Sequence, residues 1–89
     1  MLSVIIPAYN EEKMIQKTAV TVSGILKRAS IPYEILFIND GSRDGTWKQI
    51  EAAAERNPQV KGIHFSRNFG KESAIFAGLA NASGDCCAV

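Results

Sequence analysis

The sequence has 89 residues, a hydrophobic content of 46%, a charged content of 21% and a formal net charge of +1. This length allows one small domain, and the composition is that of an ordinary globular chain rather than a disordered or fibrous one. The charge gives no electrostatic footprint for nucleic acid, and no apolar run approaches the roughly 18 residues of a membrane span, so neither is expected here.

The predicted elements begin with a continuously apolar strand from Leu2 to Pro7, a pattern typical of strands buried on both faces of a parallel sheet. Asn10 is the predicted N-cap of a helix that runs to about Arg28. Glu11 and Glu12 then lie in its first turn, where the helix dipole favours negative charge. The apolar face predicted for this helix comprises Met14, Ile15, Val22, Ile25, Leu26 and Ala29.

A second strand is predicted from Tyr33 to Asn39, and a second helix begins near Thr46 with Asp44 as its cap. Trp47 of that helix is interpreted as helix–sheet core. A third strand runs from Val60 to Phe65, and its lone histidine is interpreted as a packed or edge residue rather than a catalyst.

A third helix places Ile75, Gly78, Leu79 and Ala82 on one face, and Gly78 permits close packing on the sheet. A turn leads to a fourth strand that starts at Cys86 and stops at Val89, as if cut in mid-strand. The alternation predicts a three-layer α/β/α fold with a mainly parallel, doubly wound sheet.

The cysteines Cys86 and Cys87 are adjacent, which suits neither a mutual disulfide nor a zinc site. We interpret them as small buried hydrophobic residues in a reducing compartment. Because Met1 is followed directly by the first strand, no secretory signal is expected, and a cytoplasmic location is predicted.

Three polar loops follow strand carboxyl ends, at Pro7 to Glu12, Asn39 to Thr46 and Ser66 to Glu72. In a parallel sheet these loops converge at one edge, where ligands bind in open α/β folds. One site built from all three loops is therefore expected.

The first two loops offer groups for a base and a ribose. Tyr9 is a flat stacking surface and Glu11 an acceptor, although Glu11 could equally serve only the helix dipole. Asn39 and Asp40 present carbonyl oxygens, and Gly41 allows a positive φ or close backbone approach. An Asx-turn is the simpler explanation of this second loop, but it explains Asp40 less well than Asp44.

The third loop brings Arg67 and Lys71 to a helix amino end, a combination that suits phosphate oxygens. A solvated basic loop is the alternative. No Gly-x-Gly-x-x-Gly turn follows the first strand and no Walker Gly-Lys-Ser/Thr occurs. The sequence therefore disfavours a dinucleotide-binding site and a P-loop site, two common sites in α/β folds.

Three motifs together carry a family resemblance: Val4-Ile-Ile-Pro-Ala-Tyr-Asn-Glu-Glu12, Phe37-Ile-Asn-Asp-Gly-Ser-Arg-Asp-Gly-Thr46 and Phe65-Ser-Arg-Asn-Phe-Gly-Lys-Glu72. The chain resembles the amino-terminal half of a family 2 glycosyltransferase with the GT-A fold. The third motif is most similar to the branch that includes dolichyl-phosphate mannose synthase and bacterial polyprenyl-phosphate sugar transferases. The resemblance makes residues 1–89 the amino-terminal nucleotide-binding part of one catalytic domain.

The resemblance also implies roles for individual residues. Asp40 matches the acid that reads the nucleobase, with Gly41 beside it, and Asn39 stands where many relatives have Asp. The positions that hold the base and ribose of a nucleoside diphosphate sugar, of UDP or GDP type, are Pro7, Ala8, Tyr9 and Glu11. The loop that closes over the nucleotide is matched by Arg67, Asn68, Gly70 and Lys71.

The same resemblance implies a divalent metal, Mg or Mn, held by an Asp-x-Asp motif beyond Val89, so neither a metal ligand nor a catalytic residue is expected within the 89 residues. Asp85 is interpreted as a turn residue. The acceptor implied is a polyprenyl phosphate at the cytoplasmic face of the membrane. We expect the chain alone to bind nucleotide weakly, to be catalytically inactive, and to associate with itself through its incomplete sheet.

Two other functions stay open at this point. One is a non-catalytic nucleotide-binding or interaction module with the same layout. The other is a Rossmann-like or flavodoxin-like cofactor domain. Titration with NAD, flavin and uridine or guanosine diphosphate distinguishes it from a glycosyltransferase and from the non-catalytic module.

Overall fold

The computed structural model describes residues 1–65, 70–82 and 86–88. Strands and helices alternate along the chain as predicted. The elements are β1 (Leu2–Ala8), α1 (Ile15–Arg28), β2 (Tyr33–Asp40), α2 (Thr46–Arg56), β3 (Val60–Phe65), α3 (Lys71–Asn81) and β4 (Cys86–Ala88). The predictions for the loop at 66–69, for Asp85 and for Val89 fall outside the described residues, as do those for the side chains of Cys86 and Cys87.

The four strands form one parallel sheet in the order β3-β2-β1-β4. β1 pairs with β2 from Leu2↔Tyr33 to Ala8↔Asn39, and with β4 from Leu2↔Cys86 to Val4↔Ala88. Every residue of β2 is buried. Its continuous apolar run is therefore the pattern of a central strand, and the predicted parallel sheet is confirmed.

Helices cover both faces of the sheet. On one face Ile35 and Phe37, both fully buried, pack in a cluster with Ile15 of α1 and Ile50 of α2. Trp47 packs against the same cluster, which confirms its interpretation as core. On the other face, Ile5, Leu36 and Ile38 form a second cluster, and α3 crosses it.

Gly78 is the point of closest approach between α3 and the sheet. A Cβ atom at Gly78 would overlap the side chain of Ile5, which is fully buried on β1. The predicted close packing at Gly78 is therefore confirmed, whereas Leu79, predicted on the same face, is 48% exposed.

The predicted start of α1 was wrong. The helix begins at Ile15 after Met14, and no acidic residue lies in its first turn. Asn10 has a φ of 53°, in the left-handed region, so the chain cannot be helical there. The Met14 N–H instead donates to the Glu11 carbonyl in a turn, at 2.9 Å. The acidic pair Glu11–Glu12 therefore precedes the helix.

The predicted buried face of α1 was partly wrong. Ile15 and Leu26 are buried, but Met14 and Ile25 are 46% and 53% exposed. Two small residues, Ala19 and Ser23, complete the buried stripe. Apolar residues occur on more than one side of this helix, so periodicity alone did not single out the face that meets the sheet.

Candidate functional site

The carboxyl edge of the sheet contains the position where the strand order changes direction. The chain runs outward from β1 through β2 to β3, and it then crosses back through α3 to place β4 on the other side of β1. Such a switch point opens a crevice outside the strand ends in doubly wound folds. Tyr9 directly follows β1 at this crevice, and Gly41 directly follows β2.

Hydrogen bonds join the loop after β1 to the loop after β2. The Asn10 N–H donates to Ser42 Oγ at 2.9 Å, and the Arg43 N–H donates to Asn10 Oδ1 at 2.8 Å. The Glu11 N–H donates to Thr46 Oγ1 at 2.9 Å. The two loops therefore form one unit.

The amino end of α2 receives its acceptors from both loops. Glu12 Oε2 accepts the Gly45 N–H at 3.1 Å, and Asp44 Oδ1 accepts the Thr46 N–H at 2.9 Å. Glu12 thus complements the amino end of α2, where the helix dipole favours an anion, instead of that of α1. The N-cap position of α2 is Gly45 and not the predicted Asp44, which lies one residue earlier and accepts the first N–H of the helix.

Asp40 connects the second loop to the start of α3. Its side chain is 4% exposed, and its Oδ2 accepts the Gly70 N–H at 3.0 Å. Both Gly41 and Gly70 have positive φ, 67° and 99°, a conformation that glycine adopts without strain. The predicted convergence of the three loops is therefore observed for the described residues of each.

Asn39 is fully buried and makes internal bonds. Its Nδ2 lies 2.7 Å from His64 Nδ1, and its Oδ1 accepts the Ser42 N–H at 3.2 Å. Because Oδ1 is occupied by an N–H group, Nδ2 is the atom that faces His64, which must accept through Nδ1. The observed role of Asn39 is to hold the loop on β2, and a direct ligand contact stays a prediction.

The other predicted site residues differ in accessibility. Tyr9 is 42% exposed at the crevice, whereas Ala8 is 3% exposed. Pro7 is half-buried within β1 opposite Ile38, and the strand continues one residue past the predicted end. The Glu11 side chain is exposed. Arg67 and Asn68 lie outside the described residues, and of Lys71 only the backbone is described, as the first residue of α3.

Sequence reasoning missed how Asn10, Ser42 and Thr46 connect the loops. A polar residue near a helix start is ordinarily a cap for its own helix, and Asn10 was assigned that way. The usable signal was the pair of polar loops that follow adjacent strands, because polar side chains at neighbouring strand ends can bond to each other. The prediction of Asn10 as the cap of α1 is thus corrected.

The Thr46 hydroxyl is expected to stabilise the loop unit. Thr46 is fully buried, accepts the Glu11 N–H and donates to Asp44 Oδ1. Thr46→Val keeps the shape but removes both bonds, and since a hydrogen bond of ordinary strength contributes about 0.5–1.5 kcal/mol, the free energy of unfolding should fall by about 1–3 kcal/mol. Urea denaturation measures this loss. Thr46→Ser, which keeps the hydroxyl, is the control, and equal stability of the Val variant and the wild type would contradict the assignment.

Asp44 gives the chain a predictable pH dependence. Its hydrogen bond from the Thr46 hydroxyl, aided by the backbone N–H groups of Thr46 and Glu12, holds the Asp44 pKa below its ordinary 3.8 against the opposing effect of desolvation. A carboxylate with a lowered folded pKa stabilises the fold above its unfolded pKa, and the stabilisation is lost as pH falls through the folded pKa.

Asp44→Asn is therefore expected to lower the melting temperature at pH 7, and the difference from the wild type should shrink once the pH falls below 3.8. Thermal unfolding followed by circular dichroism between pH 7 and pH 3 measures it. Glu55→Gln neutralises an exposed carboxylate on α2 as a control. A difference that stays constant across the range would contradict the assignment.

The described residues do not form a metal centre. Within 1–65, 70–82 and 86–88, no three His, Cys, Asp or Glu side chains are grouped to hold an ion. The resemblance implies a metal motif beyond Val89, so we derive no step through a metal. Nor is any helix in the described part long and apolar enough to cross a membrane.

Comparison with known proteins assigns the family. The model of the family described as "Glycosyl transferase family 2" matches residues 3–89. This chain belongs to glycosyltransferase family 2. The resemblance inferred from the three motifs is thus confirmed.

Relatives in this family have closely related sequences. The chain is 46% identical over 84 residues to the "Prophage bactoprenol glucosyl transferase homolog" of Escherichia coli strain K12, covering 94% of this chain and 28% of that protein. It is also 46% identical over 84 residues to the "Bactoprenol glucosyl transferase" of Shigella phage SfV, covering 94% of this chain and 27% of that protein. The chain thus spans little more than a quarter of the length of these relatives.

A solved mannosyltransferase structure has the same fold. The mannosyltransferase PcManGT from Pyrobaculum calidifontis, in complex with GDP-Man and Mn2+, matches with a TM-score of 0.78 and 25% identity over 97% of this chain and 25% of that one. The predicted GT-A type α/β fold of this family 2 chain is confirmed.

Proposed function

We propose that the chain supplies the donor-nucleotide half of a glycosyltransferase that uses a nucleoside diphosphate sugar, with residues 1–89 as the amino-terminal part of its catalytic domain. The observation that carries this proposal is the joined pair of loops at the switch point, through which Asn10 and Ser42 hold Tyr9 near the end of β2. A base and ribose would bind against these loops.

The groups at the two strand ends suit a nucleoside. Tyr9, with 42% of its surface exposed, offers a ring face for stacking. The carboxylate of Asp40 is an acceptor for base N–H groups, and the left-handed Gly41 lets the backbone come close. Glu11 is exposed one residue beyond Asn10 and is proposed to accept from the ribose hydroxyls. Gly70 and Lys71 at the amino end of α3, with Arg67 and Asn68 before them, are proposed to close over the nucleotide.

The donor and acceptor follow from relatives. The solved mannosyltransferase binds GDP-Man, which supports a UDP- or GDP-linked sugar as the donor. The relatives named bactoprenol glucosyl transferases support a polyprenyl phosphate as the acceptor. An acceptor of this kind is lipid-linked, which supports a reaction at the membrane, and we propose the cytoplasmic face for it.

Sugar transfer breaks the bond between the anomeric carbon and the diphosphate while an acceptor oxygen bonds to that carbon. The departing diphosphate gains negative charge, which a divalent metal such as the Mn2+ of the solved mannosyltransferase would neutralise. The described residues provide no such cation site. We therefore propose that the 89-residue chain binds nucleotide but does not transfer sugar by itself, since binding alone does not lower the barrier.

Isothermal titration of the chain with UDP, GDP, NAD and FMN tests the proposal. Saturable binding of UDP or GDP, without binding of NAD or FMN, is the expected result. Preference for NAD or FMN would indicate a Rossmann-like or flavodoxin-like cofactor domain instead. Absence of all binding by a folded chain, as judged by circular dichroism, would contradict a donor-nucleotide function.

A further inference from the structure

We infer that Asn10 is a positioning residue for the nucleotide, because it fixes the loop that carries Tyr9. This inference rests on the proposed function for its nucleotide readout, and on the structure alone for the loop contacts. Two separate properties of Asn10, its backbone conformation and its side-chain acceptor, make it suited to the role.

The backbone at Asn10 turns the chain sharply after Tyr9. Its φ of 53° lies in the left-handed region, which asparagine, aspartate and glycine tolerate far better than other residues. This turn directs the following residues away from β1 and towards the loop after β2, where the Glu11 N–H meets Thr46 Oγ1. Residue 10 therefore sets the direction that the chain takes after Tyr9.

The side chain and N–H group of Asn10 then attach this turn to the neighbouring loop. Asn10 Oδ1 accepts the Arg43 N–H at 2.8 Å, and the Asn10 N–H donates to Ser42 Oγ at 2.9 Å. The Ser42 N–H is bonded in turn to Oδ1 of the fully buried Asn39. A continuous set of hydrogen bonds thus runs from the sheet through Ser42 to the residue next to Tyr9.

Three variants distinguish the effect of the backbone conformation at residue 10 from the effect of its side-chain acceptor. Asn10→Asp keeps both the left-handed tolerance and the Oδ1 acceptor. Asn10→Gly keeps the backbone tolerance but removes the acceptor, and Asn10→Ala removes both. Because the aspartate adds a negative charge that would repel a diphosphate, uridine and guanosine are titrated beside UDP and GDP.

The nucleotide whose binding the wild type shows is titrated into each variant of the 89-residue chain. We expect Asn10→Gly to weaken binding about five- to tenfold, as for loss of one hydrogen bond of ordinary strength, and Asn10→Ala to weaken it further. Asn10→Asp should bind the nucleoside within about twofold of the wild type. Binding by Asn10→Gly within twofold of the wild type overturns the inference, as does an equal loss in Asn10→Asp and Asn10→Gly.

Ser42→Ala removes the acceptor of the Asn10 N–H, which is the second hydrogen bond between the two loops at Asn10. If Asn10 and Ser42 act as one unit, the double variant Asn10→Gly/Ser42→Ala loses less affinity than the product of the two single losses. A double variant whose loss of affinity equals the product of the two single losses would overturn the inference that Asn10 and Ser42 act as one unit. A general loss of stability would lower affinity without this non-additivity or the rescue by aspartate.

Amide hydrogen exchange tests the connection between Asn10 and the loop after β2 even if the chain binds no nucleotide. In that case the proposed function fails, but the loop connection is still tested. The Arg43 amide should be protected in the wild type and in Asn10→Asp and should exchange at least about fivefold faster in Asn10→Gly, since it loses its acceptor. Equal exchange at Arg43 in all three proteins overturns the inference, while the expected order supports the loop connection by itself.

Discussion

Asp40→Ala is expected to weaken the binding of the nucleoside diphosphate by about ten- to a hundredfold. A hydrogen bond to a charged group contributes about 1.5–3 kcal/mol, and each 1.4 kcal/mol is tenfold in affinity. Asp40 is also the residue that ties the second loop to α3, because its Oδ2 accepts the Gly70 N–H at 3.0 Å. Its removal is therefore expected to lose the proposed contact with the base and the position of Gly70 together. Isothermal titration with UDP and GDP measures the loss.

Two variants separate these effects. Asp40→Asn keeps an oxygen for the Gly70 N–H but loses the charge, so it should retain the melting temperature better than Asp40→Ala and still bind nucleotide more weakly than the wild type. Glu51→Ala removes an exposed carboxylate from α2 and should leave affinity unchanged. An Asp40→Ala chain that is folded and binds nucleotide as tightly as the wild type would contradict the role assigned to Asp40.

Gly78→Leu is expected to destabilise the fold by about 3 kcal/mol or more. A Cβ at residue 78 would already overlap the side chain of Ile5, which is fully buried in the middle of the sheet. Extra side-chain carbons in a close-packed core force neighbouring backbone apart, typically at about 1–3 kcal/mol and more for large groups. α3 would have to lift from β1 and β2.

Gly24 in α1 provides a matched control. A Cβ at Gly24 would meet only Arg28 Nη2, at 3.8 Å, which is an ordinary contact. Gly24→Leu should therefore be neutral or stabilise the chain by up to about 1 kcal/mol through helix propensity. Denaturation by urea compares the two variants. Similar stability of the Gly78→Leu and Gly24→Leu chains would show that α3 does not pack on the sheet as described.

The sheet could be predicted from the sequence because its signal is local and strong. The stretch from Ile35 to Ile38 is apolar at every position, a pattern that suits a strand covered on both faces, and β2 is buried along its whole length. Gly78 was predictable for a similar reason, since a glycine on the apolar side of a helix indicates close approach. Parallel pairing then placed the three loops at one edge.

The contacts between loops could not be predicted in the same way. Asn10 has the chemistry of a helix cap, and only the three-dimensional approach of the loop after β2 shows that its partners are Ser42 and Arg43 instead. The start of α1 was misplaced for that reason. The Asn39 side chain likewise could have faced a ligand or the interior. Its partner His64 lies 25 positions away in the sequence, so the local pattern did not indicate the contact.

The structure also contains a concave surface that competes with the proposed site. A groove of about 340 Å³ lies between α1 and α2, lined by residues that include Val20, Ser23, Gly24 and Ala53. It lies on the face of the sheet covered by these helices, away from the strand ends. A cleft of about 330 Å³ beside Tyr9 and Glu11 is similar in size and adjoins the switch point. Because the two cavities are similar in volume, it is the position of the cleft at the strand ends that favours it as the ligand site.

Mapping amide chemical shifts of the labelled chain during titration with UDP and GDP tests the location of the site most directly. A nucleotide site at the strand ends requires the largest changes at Tyr9, Asp40, Gly41 and Gly70, while the amides of Ser23, Gly24 and Ala53 stay unchanged. Changes concentrated in the groove between α1 and α2, with none at the strand ends, would contradict it.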